Sequence, residues 1–146
     1  MTSEKIIENT ILFVQETLKD AEGGHDWFHI LRVLNNSKLI AATEEVDLLT
    51  VELGALLHDI ADSKFHYGDE TVGPKVARAF LSTQNVTEEV IVHVINIIET
   101  ISFKGGNNNQ SFHSKELAVD QYAERLDCLG AIGIARTFKY GGFKGP

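Results

Sequence analysis

The sequence predicts an all-α protein, a bundle of about six helices, and three observations carry that prediction. Apolar residues recur at helical spacing in one stretch after another, side chains suited to N-capping precede most of these stretches, and no stretch alternates as a half-buried strand does.

Ile7, Ile11, Val14 and Leu18 fall at helical spacing, and their stretch stops at Gly23-Gly24, chemistry that terminates helices. Asp26 then caps a second helix, running from Trp27 through Leu31, Leu34 and Lys38 to Ala42, with His29 in its first turn. Asp47 caps a third. Its broad apolar face of Leu49, Leu53, Leu56, Leu57 and Ile60 is that of a helix buried at the centre of a bundle, and His58 and Asp59 lie near its C-terminal end.

Gly73-Pro74 followed by Val76, Ala79 and Phe80 predicts a fourth helix with proline in its first turn, where the missing amide donor does no harm. Thr87, with Glu88 and Glu89 behind it, opens a fifth through Val90, Val94, Ile97, Ile98 and Ile101. The β-branched run there is long enough to favour a buried helix over a strand. Residues 103–110, FKGGNNNQ, read as a loop, after which Ser114 caps a sixth helix bearing Leu117, Leu126 and Leu129. The chain closes on the glycine-rich KYGGFKGP.

At 146 residues the chain fits one domain, 1–146, with a single core. A net charge of -8 argues against a duplex nucleic-acid surface but leaves nucleotides open, because an acidic protein can bind anions through metal ions. The single cysteine, Cys128, forms no internal disulfide, so a reducing, cytoplasmic setting is expected. The N-terminal MTSEKIIENT lacks the basic and apolar regions of a secretion signal, and no apolar run reaches membrane-spanning length.

The chemistry concentrates in histidines and carboxylates. His58-Asp59 sits in ALLHDIAD, at the end of an apolar helix, where inward-facing charges are costly unless paired or metal-bound. A divalent ion resolves that cost, and imidazole with carboxylate suits a transition metal.

HDWFHILRV, LLHDIADSKFH, ISFKGG and AERLDCLGAIGIARTFKYGG resemble, in order and spacing, the HD-domain phosphohydrolases, and the likeness covers nearly the whole chain. The resemblance implies a helical hydrolase that uses a divalent transition metal (Mn, Fe, Ni, Co or Zn, with Mn or Fe favoured) to activate water against a phosphoester or phosphoanhydride of a nucleotide or similar small phosphorylated metabolite. It places the metal on His29, His58, Asp59 and Glu124, and it implies general acid/base work for Asp62, with Lys64, His66 and Lys104 to neutralise phosphate and Gly105 and Gly106 as weaker support for an anion near the backbone. Two positions depart from the family pattern: Glu124 stands where aspartate is usual, and Tyr122 stands where a further aspartate is frequent. Asp127 and then Asp120, spaced with Glu124 on one helix face, remain alternatives as the last ligand. Longer relatives continue into C-terminal helices beyond YGGFKG, and short helical bundles of this kind often form homodimers. A catalytically impaired module with a regulatory or ligand-binding role and an HD-type di-iron oxygenase are the competing readings; Glu124 and Tyr122 favour the first, and His25, Asp62 and His93 keep the second open.

Other residues have plainer explanations. His25 belongs to the entry of the second helix, where Asp26 is explained as a cap, and His113 lies in a polar, solvated loop. His93 divides evenly between a core hydrogen bond and a reach to substrate phosphate. Trp27 and Phe28 read as core or staple residues, and Cys128 as a small buried side chain.

Overall fold

The computed structural model describes residues 1–21, 26–61, 68–101 and 111–129. Among these there are six helices and no strand: α1 (Ser3–Thr17), α2 (Trp27–Ala41), α3 (Leu48–Leu57), α4 (Val72–Leu81), α5 (Glu88–Thr100) and α6 (Lys115–Leu126). The all-α architecture predicted from helical spacing is the one observed.

The helix starts follow their caps. Thr2, Asp26, Thr87 and Ser114 each accept a hydrogen bond from the amide three residues on, those of Lys5, His29, Val90 and Leu117. Asp47 stands at the N-cap of α3 without that bond and instead accepts from the Thr50 hydroxyl. Pro74 falls in the first turn of α4, as expected.

Because α3 is apolar nearly all round, it can be buried nearly all round, and it packs against α1, α2, α5 and α6. Val51, Leu53, Ala55, Leu56 and Leu57 are completely buried. Each large side chain among them contributes roughly 1.5–3 kcal/mol of transfer free energy. α4 packs on α5 and meets α1 through the stacked rings of Phe13 and Phe80, whose centroids are 4.2 Å apart. α2 runs antiparallel to α3, since Lys38 pairs with Glu52 while His29 pairs with Asp59.

Several expectations are corrected. The buried stripe of α1 is Ile6, Thr10, Val14 and Leu18, with Ile7 and Ile11 on its flank; the Thr10 hydroxyl is accommodated by donating to the Ile6 carbonyl at 2.7 Å. The helix ends with the Leu18 amide on the Val14 carbonyl, ahead of Gly23-Gly24, which lie outside the described residues, as do residues 103–110. In α4 the buried positions include Ala77 and Leu81, and Ala79 faces solvent. Of the leucines expected on the sixth helix, Leu117 is buried, Leu126 is 46% exposed, and Leu129 lies beyond the end of α6 and is 67% exposed. This helix turns Leu117, Val119, Asp120, Gln121 and Ala123 inward, so its last leucines fall off the buried face. Phe28 and Cys128 are likewise exposed, each next in sequence to an inward-facing polar residue, His29 and Asp127. His113 is exposed as expected.

Candidate metal centre

Three helices bring the site together. Asp26, by capping α2, fixes His29 in the first turn, where its side chain is completely buried between α3 and α6. His58 is the C-cap of α3 and Asp59 follows it, so both stand where the helix stops and the chain turns. Glu124 comes from the last turns of α6.

Their polar atoms converge. His29 Nε2 is 3.1 Å from Glu124 Oε2 and 3.3 Å from Asp59 Oδ2. His58 Nε2 is 2.9 Å from the same Glu124 oxygen and 3.6 Å from the same Asp59 oxygen. The two rings stand edge to face, with centroids 5.5 Å apart. Two imidazole nitrogens and two carboxylate oxygens therefore face one small volume, and His29, His58 and Asp59 offer ligand atoms all within 4.8 Å of one another.

The far side of each ring is fixed as well. His58 Nδ1 donates to the Ala55 carbonyl at 2.7 Å, and a carbonyl can only accept, so the Nδ1 proton is determined. His29 Nδ1 donates to Asp127 Oδ2 at 2.7 Å. Arg32, one turn on from His29, grips that carboxylate from the other side, Nε to Oδ1 at 2.6 Å and an η nitrogen to Oδ2 at 3.3 Å. With both Nδ1 protons committed outward, both Nε2 atoms are presented inward. Histidine ligands are oriented this way in metal sites, the outer partner fixing the tautomer and the ring plane. The donor set and its supports thus fit a divalent ion.

The electrostatics agree. Burial alone would lower the His29 pKa, but its hydrogen bonds to the Asp127, Asp59 and Glu124 carboxylates outweigh it and raise it to about 11. Burial opposes His58 too, and the charges of Asp59 and Glu124 raise it to about 9. Burial would push the Glu124 carboxyl up, yet His58 and His29 hold it well below the usual carboxylate range. Without a cation, protons on the imidazoles balance the carboxylates; a divalent ion can take over that balance only by displacing them.

Of the residues singled out in the sequence, His29, His58, Asp59 and Glu124 meet here. Among the last-ligand alternatives, Asp127 takes the outer nitrogen of His29 and Asp120 bonds Ser37, so Glu124 is the α6 carboxylate that faces both Nε2 atoms. His93 stands at the α5–α6 junction, its Nε2 2.9 Å from the Ser114 hydroxyl and 3.7 Å from Glu116. Asp62, Lys64, His66 and Lys104 lie outside the described residues, as do His25, Gly105 and Gly106. Sequence reasoning missed Arg32 and the Ala55 carbonyl as supports. The only available signal was the spacing of Arg32 one turn after His29, which becomes informative once Asp127 is known to lie beside both.

A model of the HD domain family matches residues 27–129, a span that begins at α2 and contains His29, Arg32, His58, Asp59, Glu124 and Asp127. The chain is 38% identical over 148 residues to the Bacillus subtilis protein YpgQ, an alignment covering 99% of this chain and 71% of YpgQ. The crystal structure of YpgQ in complex with ADP is similar at a TM-score of 0.79 and 36% identity, over 99% of this chain and 70% of that one. An HD-superfamily hydrolase from Bacillus thuringiensis is similar at a TM-score of 0.76 and 41% identity, over 99% of this chain and 69% of that one.

Proposed function

The chain belongs to the HD-domain family, and from that premise we propose that it is a metal-dependent phosphohydrolase, cleaving a phosphoester or phosphoanhydride bond of a nucleotide or a related small phosphorylated metabolite. The observation that carries this reading is the convergence of His29 Nε2, His58 Nε2, Asp59 Oδ2 and Glu124 Oε2 on one volume. Such a set suits manganese, iron, nickel, cobalt or zinc, with manganese or iron favoured, and four protein ligands leave positions for water and substrate. When bound, the ion supplies the charge that lowers the pKa of coordinated water towards about 7 and offsets the charge on phosphate oxygens.

The chain's own residues supply the rest. Asp127, clamped by Arg32, and the Ala55 carbonyl hold the two imidazoles in the orientation that points both Nε2 atoms inward. Asp59 and Glu124 supply the anionic oxygens. We assign Asp62, four residues beyond His58, to accept the proton from the attacking water and return it to the leaving oxygen. Lys64, His66 and Lys104 are assigned to the phosphate oxygens, while His93, tied to Ser114, is left to the α5–α6 junction. The ADP bound to YpgQ supports a nucleotide as the substrate class.

Phosphate and pyrophosphate release from a panel of nucleotides with added manganese tests the reading, with wild type beside His58→Ala and Glu124→Asp. Release by wild type that stops on chelation and in His58→Ala is expected. Glu124→Asp withdraws a carboxylate that already reaches both nitrogens, so release falls in that variant too. A chain that demonstrably holds metal yet releases nothing from any nucleotide would instead be a ligand-binding module.

A further inference from the structure

One turn before Glu124, α6 carries an acid that takes no part in the metal cluster. Asp120 is completely buried; its Oδ1 accepts a hydrogen bond from Ser37 Oγ at 2.9 Å, and its Oδ2 has no hydrogen-bond partner among the described residues. Burial pushes the carboxyl well above its ordinary range, against the Ser37 hydrogen bond and the charge of His58. Buried polar atoms without partners are rare in folded proteins, and each calls for a reason.

The reason lies across the interface. A Cβ added at Gly54 of α3 would collide with Asp120 Oδ2 and stand 3.1 Å from Ile97 Cγ2, so the carboxyl fills a notch that only glycine leaves open. Gly54 and Asp120 have the same sequence separation, 66 residues, as His58 and Glu124. Each pair is one helical turn from the other, which makes α3 and α6 parallel and sets the two contacts in successive layers of one interface. Ser37 closes the layer from α2, two turns beyond His29. The three helices that supply the cluster therefore each supply one member of the layer beneath it.

We propose that Asp120 is a positioning residue of the metal centre: seated in the Gly54 notch and tied to Ser37, it sets how far α6 stands from α3 and α2, and thereby where Glu124 Oε2 meets the two imidazole nitrogens. The proposal rests on the metal-centre reading above. An apolar side chain could fill the notch but would carry no bond to α2, so depth and lateral position would no longer be set together.

Cobalt(II) titration, followed by its visible absorption bands, tests this in wild type, Gly54→Ala, Asp120→Ala, Asp120→Asn and the double variant Gly54→Ala/Asp120→Ala, with thermal melts alongside. The band positions report coordination, which a purely structural role would leave unchanged while the melting temperature fell. Gly54→Ala is expected to weaken cobalt binding by about tenfold or more and shift the bands. The double variant relieves the clash but still lacks the bond to Ser37, so its affinity is expected to recover only to the level of Asp120→Ala; wild-type affinity and bands there would overturn the proposal. Asp120→Asn, which keeps the shape and the Ser37 contact, stays close to wild type. A folded Gly54→Ala with wild-type affinity and bands overturns the proposal. Should that variant fail to fold, Asp120→Ala, which adds no clash, decides: wild-type affinity and bands there overturn it equally, and weakened binding with shifted bands upholds it. If wild type itself takes up no cobalt, the metal-centre reading falls and this inference with it; if every variant binds as wild type does, only the role of Asp120 falls.

Discussion

The two sides of α3 are held by different physics. Towards α1 and α5 the contacts are apolar, with Val14, Leu53, Ile91 and Val94 sharing one buried cluster. Towards α2 and α6 the same cluster continues through Ile30, Val33, Leu34 and Ala123, but the interface also buries His29, Ser37, His58, Asp120 and Asp127. Apolar burial scales with area and has no preferred direction, so that side tolerates small rotations. A buried polar interface works in one register only, because each group needs its own partner. Apolar burial thus supplies stability on both sides, while the polar groups towards α2 and α6 add position, and α3 takes part in both.

Substitutions can separate the two. The largest effect is expected from His58→Ala, which should cut metal-dependent phosphate release on the order of a thousandfold or more; release within tenfold of wild type would remove the cluster from the chemistry. Leu53→Ala, on the apolar side, should cost about 2–5 kcal/mol in urea unfolding while leaving metal stoichiometry per folded chain unchanged. A loss below about 1 kcal/mol would mean that α3 is not the centre of the core. Asp127→Asn removes the charge behind His29 and should weaken metal binding about 10–100-fold by calorimetry, with a smaller change in the melting temperature than Leu53→Ala.

The pH dependence is expected to carry both signs. In the metal-free chain the His29 and His58 pKa values are raised above the ordinary 6.5, to about 11 and about 9. Their contribution to stability is therefore fully present below pH 6.5 and is lost as pH rises, first through about 9 and then through about 11. Glu124, whose pKa is held down, contributes above its ordinary 4.5 and loses that contribution in acid. Metal uptake near pH 8 should release about two protons per ion, read from calorimetry in buffers of different ionisation enthalpy; no release would mean that the imidazoles are not displaced from their protons. The smallest effect belongs to Tyr122→Ala: the ring is 62% exposed, and the change should stay within about 0.5 kcal/mol.

Much of this was legible from local patterns. Asp26, Thr87 and Ser114 cap the helices they were expected to cap, because capping is settled within four residues. His29, His58 and Asp59 stood out through motifs short enough to read along the chain, and the structure brings them together. The role of Asp127 was not legible, since its partner lies 98 residues away and helical spacing alone gives it the same face as Glu124. The exposure of Leu126 and Leu129 was not legible for a related reason. Which face of α6 is buried is decided by Ser37, Gly54 and His29 on other helices, and those partners select polar groups that hydrophobic periodicity counts as surface.

The three-helix origin of the cluster also sets an order of assembly. Synthesis runs from the N-terminus, so α2 and α3 leave the ribosome first, carrying both imidazoles and the Asp59 carboxylate. Until α6 emerges, His29 lacks Asp127 at its outer nitrogen and the cluster lacks Glu124. A nascent hairpin therefore offers an ion an incomplete and unoriented set of ligands. On the proposed reading the four ligands are assembled only once α6 has packed against α2 and α3, so that loading with metal would mark a finished α6.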